Sequence, residues 1–175
     1  MRALVVGGGP QALPEYCKAL SYTESDDLTI AVNHAGIHLP VFDHWVSLHA
    51  RELFYQWNPS RACPLPHHRL WGAYSIRDNS DLHHLPLNWC SYCWDGSSSA
   101  LAINVARVLG AQQILLCGVP LEDGPHFYDG PDFTQSEYTR EQWSQHLHEL
   151  TGVRSMGGWT KQVLGGFDPS WWRQP

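Results

Sequence analysis

The chain has no cluster of lysine and arginine. Eleven such residues stand against 17 aspartates and glutamates, a formal net charge of −6 over 175 residues. A nucleic-acid groove needs a basic stripe to neutralise phosphates, so the composition argues against nucleic acid as a partner. Also missing is any apolar run near the roughly 20 residues of a spanning helix. The first residues enter a strand-like segment with no cleavage-type leader. The expectation is a soluble, cytoplasmic protein with no membrane partner. Five cysteines, an odd number without a secretory signal, fit reduced thiols better than a disulfide framework. The length fits a single domain over 1–175 that buries its core without disulfides or metals.

What is present begins at the first strand. Arg2-Ala-Leu-Val-Val-Gly-Gly-Gly-Pro10 is an apolar, β-branched run that stops at three glycines. It predicts a buried strand delivering a glycine loop. A residue without Cβ accepts positive φ and lets an anion approach the backbone N–H groups. Gly7, Gly8 and Gly9 are therefore candidate ligand-binding residues, with a plain tight turn as the alternative. The spacing Gly7-x-Gly9-x-x-Ala12 formally fits a dinucleotide fingerprint, but Pro10 and Pro14 place the expected helix start near Pro14, with Tyr16, Cys17 and Leu20 facing inward.

Leu28-Thr-Ile-Ala-Val32 predicts a second buried strand, ending at Asn33. A dinucleotide site normally has an acid there for the ribose, and this chain has none. Asn33 is a candidate nucleoside contact, or else a turn-former. Trp45-Val-Ser-Leu-His49 predicts a third strand with His49 at its carboxyl end, where open α/β sheets bind ligands; strand capping is the alternative role for His49. Glu52 to Trp57 reads as a helical turn. From about 59 to 95 the pattern loosens into a Pro-, His- and Cys-rich insertion, whose one good strand is Arg69 to Ile76. Cys63, His67 and His68, His83 and His84, and Cys90 with Cys93 offer zinc-ligand atoms at irregular spacing, so no metal site is assigned.

Gly96 to Gly110 is the clearest helix, with the serines Ser97 to Ser99 offering its N-cap, Leu101, Val105 and Val108 on one face, and Gly110 closing it. Free N–H groups, hydroxyls and the positive dipole end at Ser97, Ser98 and Ser99 suit a phosphate or carboxylate; ordinary capping is the alternative. Ile114 to Gly118 is a further buried strand. The loop after it carries His126 and Tyr128, both able to move or orient protons. Thr134-x-x-Glu137 and Thr139-x-x-Gln142 are alternative capping boxes for a helix through Leu150, with Trp143, Leu147 and Leu150 inward. Gly152 to Ser155 predicts a last short strand and Thr160 to Leu164 a helix. Arg154 and Lys161 are candidate phosphate partners, although a charged surface is their default. Trp171 and Trp172 either dock on the body or form an oligomer contact.

These pieces predict an α/β, doubly wound, mostly parallel sheet of about five or six strands flanked by helices. The opening Val5 to Leu13, the strand ending in Asn33, and Gly96 to Gly118 resemble the Rossmann-like core of two groups. These are the bacterial sialyltransferases that use CMP-sialic acid, and the 6-hydroxymethylpterin pyrophosphokinase-like domains. The resemblance implies that Gly7, Gly8, Gly9 and Asn33 hold a nucleotide, that Ser97, Ser98 and Ser99 face a sugar nucleotide, and that Tyr128, with His126 beside it, lies at the phosphate. The resulting expectation is a nucleotide or nucleotide-sugar binding protein, in its catalytic form a small transferase with His49 or His126 as base. The alternative is a non-catalytic interaction protein on the same scaffold. No cofactor is assigned, and self-association is left open.

Overall fold

In Ala3-Leu4-Val5-Val6 every side chain is apolar, as in a strand covered on both faces. The structure, a computed structural model describing residues 1–74, 85–91 and 97–174, realises that pattern. The strands are β1 (Arg2–Val6), β2 (Leu28–Val32), β3 (His44–Val46), β4 (Leu70–Tyr74), β5 (Asn88–Ser91), β6 (Gln113–Cys117) and β7 (Val153–Ser155). They form one all-parallel sheet in the order β5-β4-β3-β2-β1-β6-β7. The helices are α1 (Ala12–Leu20), α2 (Ala35–His38), α3 (Ala50–Glu52), α4 (Ser98–Val108), α5 (Ser136–His146), α6 (Gly158–Leu164) and α7 (Pro169–Trp172). A π-helical turn, Leu53–Trp57, continues α3.

Strand alternation sorts the core into two layers. Ala3, Val5, Ile30, Val32, Val46, Ile114 and Leu116 pack under α4 and Trp143 of α5. Leu4, Val6, Ala31, Trp45, Leu115 and Cys117 pack under α1, α2 and Trp172 of α7. The chain steps outward from β1 to β5, and α4 then carries it back across the sheet to β6 on the other side of β1. The strand order therefore reverses between β1 and β6, which opens a crevice beyond their carboxyl ends.

Several expectations need correction. The described residues hold seven strands, because β5 lies inside the proline-rich stretch that reads as irregular. Strand β3 stops at Val46, so His49 is not its terminal residue but the residue preceding α3. Helix α1 begins at Ala12 and takes Pro14 into its first turn, where a missing N–H costs nothing. Its inner face is Ala12, Tyr16 and Ala19, while Cys17 and Leu20 are exposed. In α4, Val108 is 65% exposed and Ile103 takes its place inside. Helix α6 starts at Gly158 rather than Thr160. Of the tail tryptophans, Trp172 is fully buried, and Arg2 lies over its ring and donates to its carbonyl oxygen at 3.0 Å. Ser75, Ile76, His83, His84, Cys93 and Gly96 lie outside the described residues. No helix among the described residues is long and apolar enough to cross a membrane.

Candidate functional site

At the crevice the three glycines meet the strand that flanks them. Gly7 N–H donates to the Cys117 carbonyl and Gly9 N–H to the Gly118 carbonyl, each at 2.8 Å. None of the three has positive φ, which corrects the conformational reason expected for them. Close approach is what requires glycine here. A Cβ on Gly7 would lie 2.6 Å from the Gly118 oxygen, and one on Gly9 would lie 2.5 Å from Cδ of Pro120. The Gly8 N–H is left without a backbone partner among the described residues, and Gly8 lines the cavity.

A cavity of about 610 Å³ opens over this loop, within the usual size for small-molecule sites. Gly7, Gly8, Gly9, Asn33, His49, Ser97, Ser98, Ser99, His126 and Tyr128 all line it. The sequence-predicted residues are thus brought together, although several are partly committed elsewhere. Ser97 caps α4 by accepting from Ala100 N–H at 3.3 Å and also accepts from Trp143 Nε1 at 3.0 Å. Ser98 Oγ accepts from Leu48 N–H at 3.2 Å. Ser98 and Ser99 line the cavity, and their N–H groups, in the first turn of α4, have no intrahelical acceptor. Ordinary capping and an anion-ready helix end therefore coexist.

Asn33 holds the left-handed conformation, φ 49°, that a short polar side chain tolerates. Leu121, also in the cavity wall, has φ 51° without that excuse. Residues held this way persist only where the surroundings fix them, and they cluster at ligand clamps.

Residues 118–135 form the loop that closes the cavity. Phe127 N–H donates to the Gly8 carbonyl at 3.0 Å, and Gly124 and Phe133 pair as an antiparallel bridge. Asp123 Oδ1 accepts from Ser136 N–H at 3.0 Å. Asp123, rather than either expected capping box, thereby satisfies the start of α5, whose residue Gln135 makes no side-chain cap bond. His126 Nδ1 lies 2.8 Å from the Pro131 carbonyl. A carbonyl can only accept, so Nδ1 carries the proton, and the lone pair of the neutral ring is at Nε2. The Tyr128 ring stacks on His126 at 4.9 Å and on His38 at 4.7 Å. Burial pushes its hydroxyl up to about 12, so it stays a donor at neutral pH.

Sequence reasoning missed His34, His38 and Trp57. Trp57, on the π-helical turn, packs against His34 at 4.3 Å and His49 at 6.2 Å. Burial holds His34 below its ordinary value, and the neighbouring His126, His38 and His49 add to this. The only sequence signal for His34 and His38 was their proximity to Asn33, at the carboxyl end of a buried strand, and Trp57 had none. Glu122 and Asp132 also line the cavity, and no lysine or arginine does so among the described residues. Arg154 instead stacks on Trp171 at 4.7 Å, and Lys161 lies near Glu15, so neither is among its lining residues. Among the described residues no group of three or more His, Cys, Asp or Glu is placed for a metal. Cys63 is exposed and Cys90 buried.

No family model matches the chain, and no curated protein does. Among solved structures, thiamin pyrophosphokinase from Geobacillus thermodenitrificans is 16% identical over 89% of this chain and 59% of that one, with a TM-score of 0.41. Thiamine pyrophosphokinase from Bacillus subtilis is 13% identical over 89% and 60%, also at 0.41. This chain spans about three fifths of their length. The two share a pyrophosphokinase name with one of the groups the sequence resembles, and neither is a sialyltransferase. Likeness of this depth carries no argument about reaction or ligand.

Proposed function

We propose that the chain binds a nucleotide or nucleotide sugar at the carboxyl edge of its sheet and acts as a small transferase. The supporting observation is the convergence of unpaired donors on one cavity. Gly8 N–H, the N–H groups of Ser98 and Ser99, and the Tyr128 hydroxyl come from three separate segments and suit an acceptor-rich phosphate. Asn33 lies on the same wall as the nucleoside contact. His126 is the base: its Nε2 takes the proton of an acceptor hydroxyl as that oxygen bonds to the anomeric carbon of the nucleotide sugar and the bond from that carbon to the phosphate oxygen breaks. The leaving phosphate oxygen is then stabilised by the Gly8 and Tyr128 donors. The interaction-protein reading is less well supported, because none of the tryptophans among the described residues is exposed.

The test is a thermal-shift screen against nucleoside mono- and diphosphates and sugar nucleotides, with wild type and Ser99→Asp. A ligand at a hundred times its dissociation constant stabilises the native state by about 2.7 kcal/mol. Ser99→Asp puts a carboxylate where it favours the start of α4 but repels a phosphate. The expected result is a ligand shift in wild type that Ser99→Asp abolishes without lowering the melting temperature of the unliganded protein. Equal shifts in the two proteins would move the ligand away from α4.

A further inference from the structure

Asn33 is fixed by its backbone on three sides. Its N–H donates to the Val46 carbonyl at 3.0 Å, and its own carbonyl accepts from Trp45 Nε1 at 2.7 Å and from Gly36 N–H at 3.1 Å. What the backbone leaves undecided is which end of the carboxamide faces the cavity. Ser47, fully buried just beyond β3, settles this. The His49 N–H is an obligatory donor and gives its hydrogen to Ser47 Oγ at 2.9 Å. The single Ser47 hydroxyl proton is then directed at Asn33 Oδ1, 2.8 Å away. The opposite orientation of the amide would leave that buried proton without an acceptor, which is costly. The Asn33 NH₂ group has no partner among the described residues, and Asn33 lines the cavity.

We infer that Ser47 is a positioning residue that makes Asn33 a donor-only contact, and that the site therefore selects a ligand with a hydrogen-bond acceptor at that point. This rests on the nucleotide reading above. A pyrimidine carbonyl oxygen and a ribose oxygen share that chemistry. The same hydroxyl also ties the Asn33 side chain to the backbone of His49, so two cavity residues share one buried anchor.

The experiment is calorimetric titration of the full chain with uridine 5′-monophosphate, adenosine 5′-monophosphate, ribose 5-phosphate and inorganic phosphate. The proteins are wild type, Asn33→Asp, Ser47→Ala and the double variant. Asn33→Asp tolerates the left-handed backbone and still accepts from Ser47, but has no NH₂ group. The expected result is roughly ten- to hundredfold weaker nucleotide binding with a melting temperature close to wild type. Ser47→Ala should weaken binding roughly three- to tenfold. In the Asn33→Asp background it should cost no further affinity while still lowering the melting temperature, because its effect on the ligand passes through the amide. Loss of affinity for ribose 5-phosphate in Asn33→Asp greater than that for inorganic phosphate, which reads the added charge alone, would place the acceptor on the sugar, and equal losses would place it on the base. Wild-type-like binding by Asn33→Asp, or a Ser47→Ala penalty equal in both backgrounds, overturns the inference and leaves the nucleotide reading standing. A folded wild type that binds none of the probes overturns both.

Discussion

A methyl group on Gly8 would sit 2.6 Å from Cδ2 of His126 and 2.9 Å from Oη of Tyr128. Both rings carry proposed roles: Tyr128 is stacked between His126 and His38, and His126 is held by that stack and by its bond to the Pro131 carbonyl, so moving either ring disturbs the stack. Gly8→Ala should therefore cost about 1–3 kcal/mol of stability, as overpacking does, and should weaken ligand binding as well. Gly130→Ala is the control: its Cβ would lie 3.4 Å from Tyr128, an ordinary contact, and the change is expected within about 0.5 kcal/mol. Urea melts of the two variants check this, and equal losses would remove the argument from close approach. The glycine triplet was legible as special in the sequence, but its cause was not. The atoms that exclude a side chain belong to Gly118, Pro120, His126 and Tyr128, more than a hundred residues away in the chain. A local motif cannot separate such crowding from positive φ.

Elements were legible where one local pattern decided them. The apolar runs of β1, β2 and β6 need cover on both faces whatever lies beside them, and Ser97 with Gly110 marks both ends of α4. Gly110 does take positive φ, 97°. Elements set by distant partners were not legible. Strand β5 is held by its pairing with β4, and α5 begins where a carboxylate 13 residues upstream reaches its first amide. The same limit applies within the cavity, where the expected residues sit at strand ends and helix starts that could be placed. The ring stack of His38, Tyr128 and His126 joins segments that only the fold brings together. The start of α5 gives a direct test of long-range capping. Asp123→Ala should destabilise by about 1 kcal/mol, whereas Thr134→Ala, on an exposed residue, should stay within about 0.5 kcal/mol. The reverse ranking in denaturant melts would restore the capping box as the helix start. Because Asp123 also anchors the loop bearing His126 and Tyr128, its loss should weaken ligand binding too.

Among the described residues, desolvation lowers the proton affinity of His34 and His44, which couples the stability of the whole molecule to pH. His44 sits below its ordinary value of 6.5 because burial disfavours its charge; Arg69 and His68 push the same way, and only Asp43 opposes them. Its Nδ1 accepts from Trp71 Nε1 at 3.1 Å, a bond the protonated ring cannot accept. His34 is depressed for the same first reason, within a group of imidazoles that repel one another's charge. For both, the unfolded chain takes up a proton at a higher pH than the native one. Their contribution to stability is therefore complete above about 6.5 and is lost as the pH falls through the lowered native values. The melting temperature should thus decline on acidification from pH 7 towards 5, before the bulk of the carboxylates titrate. His44→Gln keeps an acceptor for Trp71 and removes the titration, so it should flatten the decline on the acid side and leave the profile above pH 7 unchanged. A melting temperature constant from pH 7 to 5, or a His44→Gln profile parallel to wild type, would show that these rings lose no more by protonation in the native state than in the unfolded one.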